Sequence, residues 1–356
     1  MAVNLYQSIY RELLRQILDG RLPVGQEIPT EAALMQLFDA SRVTVRKALD
    51  ALKREGVLSS TAGRGTVVME RAGGFGCDLD MVVMVAPVTD PFYYASMVEK
   101  MDDLVAEQSA VLLSKYDTKG HLLEDSDLYL NLLDRGVRHV VLWPHVHQQD
   151  WSLLNRMRAV GMNMVVLDQP HPTAAADVVA LDAVQGMDAF VKAIEAEVGV
   201  GHSYLMLGHD TALPSAHARQ DAFEQRLGGL GSVQELPRYA DDAERDAAVL
   251  ATLRQQLKDD SKLRGIVCSH GGLGLATARA VEQLGRTDVV VASYDYLPSM
   301  EGHTLWALRQ PFEAMAQAAM ESLRAQSTEP DQWRARMQLF PGELVGLGRR
   351  IGKRKR

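Results

Sequence analysis

Cysteine is nearly absent. The 356 residues hold two, Cys77 and Cys268, and no CxxC pair, which excludes a disulfide framework and a thiolate zinc site. That usage suits a reducing compartment, so a cytoplasmic protein is expected. Long apolar runs are missing as well. The longest, such as "MVVMVAPV" from Met81, are strand-sized and well short of the roughly 18 residues that cross a bilayer, so no membrane segment is expected. The first residues, "MAVNLYQSIYRELLRQIL", carry charge among their apolar positions and have neither an h-region nor a small-residue cleavage site, so secretion is not indicated. The histidine-rich "HVHQQD" from His145 is followed by no glutamate or further histidine at a metal-site spacing, and reads as a surface loop. "SHGGLGLATARA" from Ser269 lacks both the GxGxxG order after a first strand and the GK[ST] of a phosphate loop. With no nucleophile–base constellation in view, neither catalysis, a metal nor a cofactor is expected.

What is present is a soluble composition of 47% hydrophobic and 24% charged residues, long enough for roughly two domains of about 150 residues each. The net charge of -8 argues against coating of nucleic acid by the whole surface, because phosphate binding needs positive potential. A local basic patch remains open, and the first seventy residues supply one. Leu5, Ile9, Leu13 and Ile17 recur at four-residue steps, with Leu14 and Leu18 widening the stripe, so an amphipathic helix ends near Gly20 and Pro23. Thr30 is placed to cap a short second helix running to about Phe38, with Glu31 in its first turn.

After "DAS", Ser41 can cap a third helix whose Val45, Ala48, Leu49 and Leu52 share one face and which Gly56 ends. Arg42 and Arg46 lie one turn apart on another face. Two such arginines alone usually mark a solvated face. The cap, the spacing and the following "VLSSTAGRGTVVME", a hairpin with a basic tip at Gly63, Arg64 and Gly65, shift the balance. Helix, helix, helix, hairpin is a winged helix-turn-helix, whose second motif helix sets its N-terminal residues against base edges in the major groove. Arg42 and Arg46 would then be placed to donate to guanine.

The stretch from Leu5 to Met69 resembles the DNA-binding domain of the GntR family of bacterial regulators, through "GRLPVGQEIPTE", "SRVTVRKALDALKREGV" and "GRGTVV". The resemblance implies DNA contacts from Arg42, Thr44 and Arg46, from Gly63 and Arg64 at the wing, and a phosphate contact from Thr30. Ala32 stands where many members carry arginine.

"ERAGGFGCD" from Glu70 is glycine-rich and reads as a linker. Strand patterns then alternate with helical ones. Strands are expected at 81–85, 110–113, 139–142, 164–167, 203–207, 264–268 and 289–292, with helices at 97–108, 124–135, 183–198, 243–259 and 273–284, an α/β order that makes parallel sheets. The domains expected are 1–70, a linker at 71–80, a two-lobed domain at 81–348, and a basic tail at 349–356. Ligands of such sheets bind beyond the carboxyl ends of the strands, where Trp143, Asp168, Gln169, Ser269 and the "YDY" from Tyr294 fall. Aromatic faces beside groups that donate and accept suit a sugar.

Residues 80–348 resemble the effector domain of the lac and galactose repressor family, which shares the fold of periplasmic sugar-binding proteins; the segments include "VAPVTDPFYY", "GMNMVVLDQP", "SAHARQDAF" and "VVVASYDYLP". The resemblance implies ligand contacts from Phe92, Asp168, Arg219, Ser269, Asp295 and Gln310. Ser269 and His270 replace the family's usual Asn-Asp. Together the two resemblances imply, as an expectation, a non-enzymatic, ligand-responsive regulator that binds double-stranded operator DNA as a homodimer and represses a carbohydrate-utilisation operon. The same architecture sensing a nucleobase, a phosphorylated metabolite or a protein co-regulator is the alternative.

Overall fold

The computed structural model describes residues 5–61, 65–71, 73–87, 91–117, 125–144, 150–208, 213–239 and 241–348. The chain passes through α1 (Leu5–Leu18), α2 (Glu31–Leu37), α3 (Arg42–Arg54), β1 (Leu58–Thr61), β2 (Gly65–Val68), β3 (Met81–Pro87), α4 (Pro91–Ala106), β4 (Val111–Asp117), α5 (Ser126–Asp134), β5 (His139–Leu142), α6 (Ser152–Ala159), β6 (Asn163–Leu167) and β7 (Asp177–Leu181). It continues through α7 (Ala183–Val198), β8 (Ser203–Gly208), α8 (Pro214–Leu227), β9 (Gly231–Glu235), α9 (Asp242–Asp259), β10 (Leu263–Cys268), α10 (Gly271–Gln283), β11 (Val290–Ser293), β12 (Leu305–Arg309), α11 (Phe312–Thr328), β13 (Met337–Phe340) and β14 (Glu343–Leu347). Two compact units result. The first holds the chain to Leu167 with His171–Val179 and Ala316–Gln338, and the second holds Asp168–Pro170, Ala180–Met315 and the chain from Leu339.

In the first unit, α1, α2 and α3 precede the antiparallel β1–β2 hairpin. Ile9, Leu13 and Ile17 of α1 meet Val45, Leu49 and Leu52 of α3 in a buried core, while Leu5, read as part of that stripe, is exposed. Each fully buried aliphatic side chain contributes about 1.5–3 kcal/mol. Local chemistry sets the ends. The Thr30 hydroxyl accepts from the Ala33 N–H and the Ser41 hydroxyl from the Thr44 N–H, each satisfying an otherwise orphaned donor. Gly56, at φ +70°, lets the chain leave α3 in the left-handed region, where a side chain would also meet Arg71.

The rest of the first unit is a sheet in the order β13-β7-β6-β5-β3-β4, with β4, β3, β5, β6 and β7 parallel. Strands β5, β6 and β7 are buried along their whole length, the burial of a parallel sheet covered on both faces. The second unit's sheet runs β14-β12-β11-β10-β8-β9, parallel except for β14. Its core gathers Phe190, Tyr204, Phe223, Val267, Ala292, Tyr294 and Leu308.

Every strand and helix expected from the pattern is present within a few residues of its place, apart from α4, which begins at Pro91 instead of 97. The pattern did not reveal β7, β9, β12, β13 and β14, nor α6, α8 and α11. The reasons are physical. β7 opens on a buried charge, Asp177, α6 and α8 each bury an arginine, and β9 is half-exposed.

That buried polar chemistry organises the first unit. The Arg158 guanidinium, 1% exposed, donates to the Ala175 carbonyl and to the side-chain oxygens of Asn163 and Gln326, and stacks over the Trp333 ring. Burial drops its pKa to about 9 against the field of Asp177, which raises it, while Arg71 lowers it further. Asp177 is itself buried and accepts from Ser322, from the Trp333 indole at 3.1 Å and from the Arg336 N–H at 2.8 Å. Asn163 accepts from the Phe75 N–H and donates to the Phe75 carbonyl, both at 2.8 Å. Segment 73–80, without regular secondary structure, is thereby fixed to β6.

The helical head is fastened to the same unit by polar contacts. Arg11 pairs with Asp134 at 2.6 Å, Arg15 with Asp127 at 2.9 Å, and Arg156 donates to the Leu18 carbonyl at 2.7 Å. Glu55, which caps α3, accepts from the Tyr10 hydroxyl at 2.7 Å and sits 3.7 Å from Arg138. The Phe75 ring receives both Arg71 and Arg138 at about 5 Å.

Removing a buried charge from a satisfied network is expected to be costly. Arg158→Met should lower unfolding free energy by on the order of 3 kcal/mol, measured by denaturant titration; a loss below about 1 kcal/mol, the ordinary effect of a point mutation, would contradict the assigned role. His139, buried beside Cys77, Asn163 and Ser327, has its pKa pushed down by burial to about 4, partly opposed by a hydrogen bond with the Met81 backbone. Its folded pKa lies below the unfolded value of about 6.5, so the unfolded state binds the proton first. Stability is complete above about pH 6.5 and falls toward pH 4 by up to on the order of 3 kcal/mol. Unfolding midpoints should show that decline in the parent and less of it in His139→Gln.

Candidate functional site

Helix α3 presents its first two turns outward. Arg42 and Arg46 are exposed and converge on one carboxylate, with the Arg42 Nε 3.2 Å from a Glu31 oxygen and the Arg46 Nε 3.1 Å from both. The partial burial of Glu31 raises its pKa, and the hydrogen bonds and charges of the two arginines outweigh that, leaving it below the ordinary carboxylate value. The arginines are held side by side, each with further N–H groups to offer. Thr44 is engaged with Ser41, its backbone N–H donating and the two hydroxyls 2.9 Å apart. Thr30 uses its hydroxyl oxygen as the α2 cap and keeps its O–H for another acceptor. Lys47 lies 4.0 Å over the Tyr6 ring, which keeps a cation near the same surface. Gly63 and Arg64, expected at the wing tip, lie outside the described residues.

A second cluster forms wholly within the second unit. Asp168 follows β6, Ser269 follows β10, Asp295 follows β11, Gln310 follows β12, and Arg219 lies on α8. All five are buried. Arg219 donates to the Ser269 carbonyl at 2.6 Å and lies 3.5 Å from Asp295 and 3.7 Å from Asp168, with its guanidinium 5.2 Å from the Tyr294 ring centre. Asp295 also accepts from the Gln310 amide at 3.0 Å and from the Gly271 N–H at 3.3 Å. The latter opens α10, so the helix dipole adds to the hold on that carboxylate. Gly274, where a side chain would strike Ser293, lets α10 approach β11 closely.

Asp168 adopts φ +57°, a left-handed conformation that aspartate tolerates at a cost of order 1–3 kcal/mol. Its neighbour Gln169 is fully buried, and its side-chain oxygen accepts from the Ser215 N–H at 3.2 Å. The Gln169 amide nitrogen and the Gln310 amide oxygen are buried with no hydrogen-bond partner among the described residues. A buried polar atom without a partner costs about 1–3 kcal/mol, so this pair supplies a donor and an acceptor ready for an incoming group.

The structure thus brings together five of the seven candidate ligand residues. Trp143, at the end of β5, belongs to the first unit, as does Phe92 on α4, whose side chain lies outside the described residues. Gln169 joins the cluster, and its place after a strand was the available signal. Glu31 also gains a role: the sequence pointed only to the helix dipole, since its partners lie eleven and fifteen residues on. No group of three or more metal-binding side chains occurs among the described residues, and His145 and His147 lie outside them.

Comparison with known proteins places both halves. Residues 81–328, more than half of the chain, match the periplasmic binding protein domain. The chain belongs to that family. Its head, residues 5–68, matches the gntR family of bacterial regulatory proteins. This periplasmic-binding-protein-like chain is 46% identical over 66 residues to the mannosyl-D-glycerate transport/metabolism system repressor MngR of Escherichia coli K12, an alignment covering 18% of the chain and 28% of MngR. The chain spans less than a third of the first-matched curated relatives, which include the regulator GmuR of Bacillus subtilis at 30% of its length. Among solved structures, a ribose operon repressor assigned in Burkholderia thailandensis aligns at TM-score 0.60 with 17% identity, over 76% of this chain and 100% of that one. A solute-binding protein from Agrobacterium vitis bound with α-D-tagatopyranose aligns at 0.62 with 14% identity, over 75% and 94%. At these identities the likeness shows the fold. No helix among the described residues is long and apolar enough to cross a membrane.

The shared carboxylate makes a direct prediction. Replacing both Arg42 and Arg46 with alanine should raise the Glu31 pKa toward the ordinary value in an NMR titration, and added salt should do the same in the parent, since the pairs are exposed. An unchanged pKa in the double variant would remove the pairing.

Proposed function

We propose that the protein is a ligand-responsive transcriptional repressor of a carbohydrate-utilisation operon, acting in the cytoplasm as a homodimer on a palindromic operator and carrying out no catalysis. The observation that carries this reading is α3: a capped helix whose core face is buried and whose exposed first turns hold Arg42 and Arg46 side by side, within a gntR-type domain. Guanidinium groups so placed match the paired acceptors of guanine in the major groove. Thr30, Thr44, Gly63 and Arg64 complete the proposed contacts, Thr30 to phosphate and Thr44 from the recognition helix. Two-fold symmetry in the protein matches paired half-sites.

The effector is a neutral sugar or related polyol, held by Asp168, Gln169, Arg219, Ser269, Asp295 and Gln310. Charge supports this over a phosphorylated metabolite. Among the described residues the cluster sets two carboxylates against one guanidinium, a balance that disfavours a phosphate. Hydroxyls both donate and accept, which answers the Gln169 nitrogen and the Gln310 oxygen together.

Titration of DNA from upstream of the protein's own coding sequence, repeated with a panel of pentoses, hexoses, sugar alcohols and purines, tests both halves. Arg46→Ala should weaken operator binding by about 1–3 kcal/mol; binding as tight as the parent's would defeat the assignment of α3. An effector at about a hundred times its Kd should stabilise the protein by about 2.7 kcal/mol in a thermal-shift assay. A shift with purines and none with any sugar would replace the sugar assignment.

A further inference from the structure

We infer that Val43 reads a thymine, by packing against its C5-methyl group in the major groove; the inference rests on the DNA-reading role proposed for α3. Val43 is 78% exposed, in the first turn of α3 between Arg42 and Thr44. The buried residues Val45, Ala48, Leu49 and Leu52 define the core face of that helix. At about 100° per residue, Val43 points roughly 170° away from the centre of that face, more directly outward than either arginine. Arg46 and Lys47, one turn on, flank it with positive charge.

Among the described residues, nothing accounts for an aliphatic side chain there. It buries little apolar surface, and a β-branched residue lowers helix propensity relative to alanine. On DNA the position changes meaning. The N-terminal residues of a recognition helix face base edges, and the thymine methyl is the one apolar group the major groove displays. Valine can neither donate nor accept a hydrogen bond, so its only favourable readout is that methyl. Flanking arginines that engage guanine would fix its register, giving a site in which a thymine stands beside a guanine.

The test begins by selecting duplexes from a random-sequence pool with the parent protein. Each thymine of the selected site is then replaced by deoxyuridine, which removes only the methyl group. Parent protein should lose affinity at one thymine position by roughly fourfold, the value of one buried methyl at about 0.8 kcal/mol. Val43→Ala, shown folded by circular dichroism, should be indifferent to that change, and Val43→Ile should keep the sensitivity. The inference is overturned if the parent tolerates deoxyuridine at every position, or if Val43→Ala loses as much as the parent at the sensitive one. A parent that selects no sequence removes the DNA-reading role itself, an outcome seen at the first step and separate from the other two.

Discussion

The first unit depends on how a single buried cation is satisfied. Arg158 cannot shed its charge easily, and taking a guanidinium out of water costs several kcal/mol unless its donors are met and a carboxylate lies near. The fold meets that demand with a carbonyl, two side-chain amides, an aromatic face and the field of Asp177. Those partners come from distant parts of the chain: β6, the stretch leading into β7, the end of α11, and the stretch before β13. Satisfying one charge therefore registers four segments. The same Asn163 that accepts from Arg158 also holds Phe75, so the constraint reaches the segment following the helical head.

The second unit uses the opposite arrangement. Arg219 is also buried, but it stands beside two carboxylates, and two amide atoms in its cluster have no hydrogen-bond partner among the described residues. One cluster is complete without a ligand and the other is not. That difference sets the proposed ligand cluster apart from a structural polar core more clearly than burial does, since both arginines are almost wholly enclosed.

Much of this was legible in the sequence, and several of the misses share a cause. The caps Thr30 and Ser41, the end of α3 at Gly56 and the alternation of strands with helices depend on local chemistry and periodicity, and each appears where its residues place it. The strand-end rule found Asp168 after β6 and Ser269 and Asp295 after the neighbouring strands β10 and β11, the latter two because a parallel sheet gathers the residues that follow its strands at one edge. Reading by hydrophobic pattern fails where a charge is buried. Asp177 hid β7, Arg158 hid α6, and Arg219 interrupted the apolar face of α8. The Glu31 clamp was illegible for another reason: its partners come from a different helix, and only the turn between α2 and α3 brings them within reach.

The contacts that fasten the head bear on modularity. Tyr10, Arg11, Arg15 and Glu55 spend their polar groups on Asn131, Asp127, Asp134 and Arg138 or on one another, and the Leu18 carbonyl spends its lone pair on Arg156. A chimera that moved the head onto a foreign effector domain would inherit those groups without their counterparts. The head and its support form a matched pair of surfaces, and a functional graft would have to carry both.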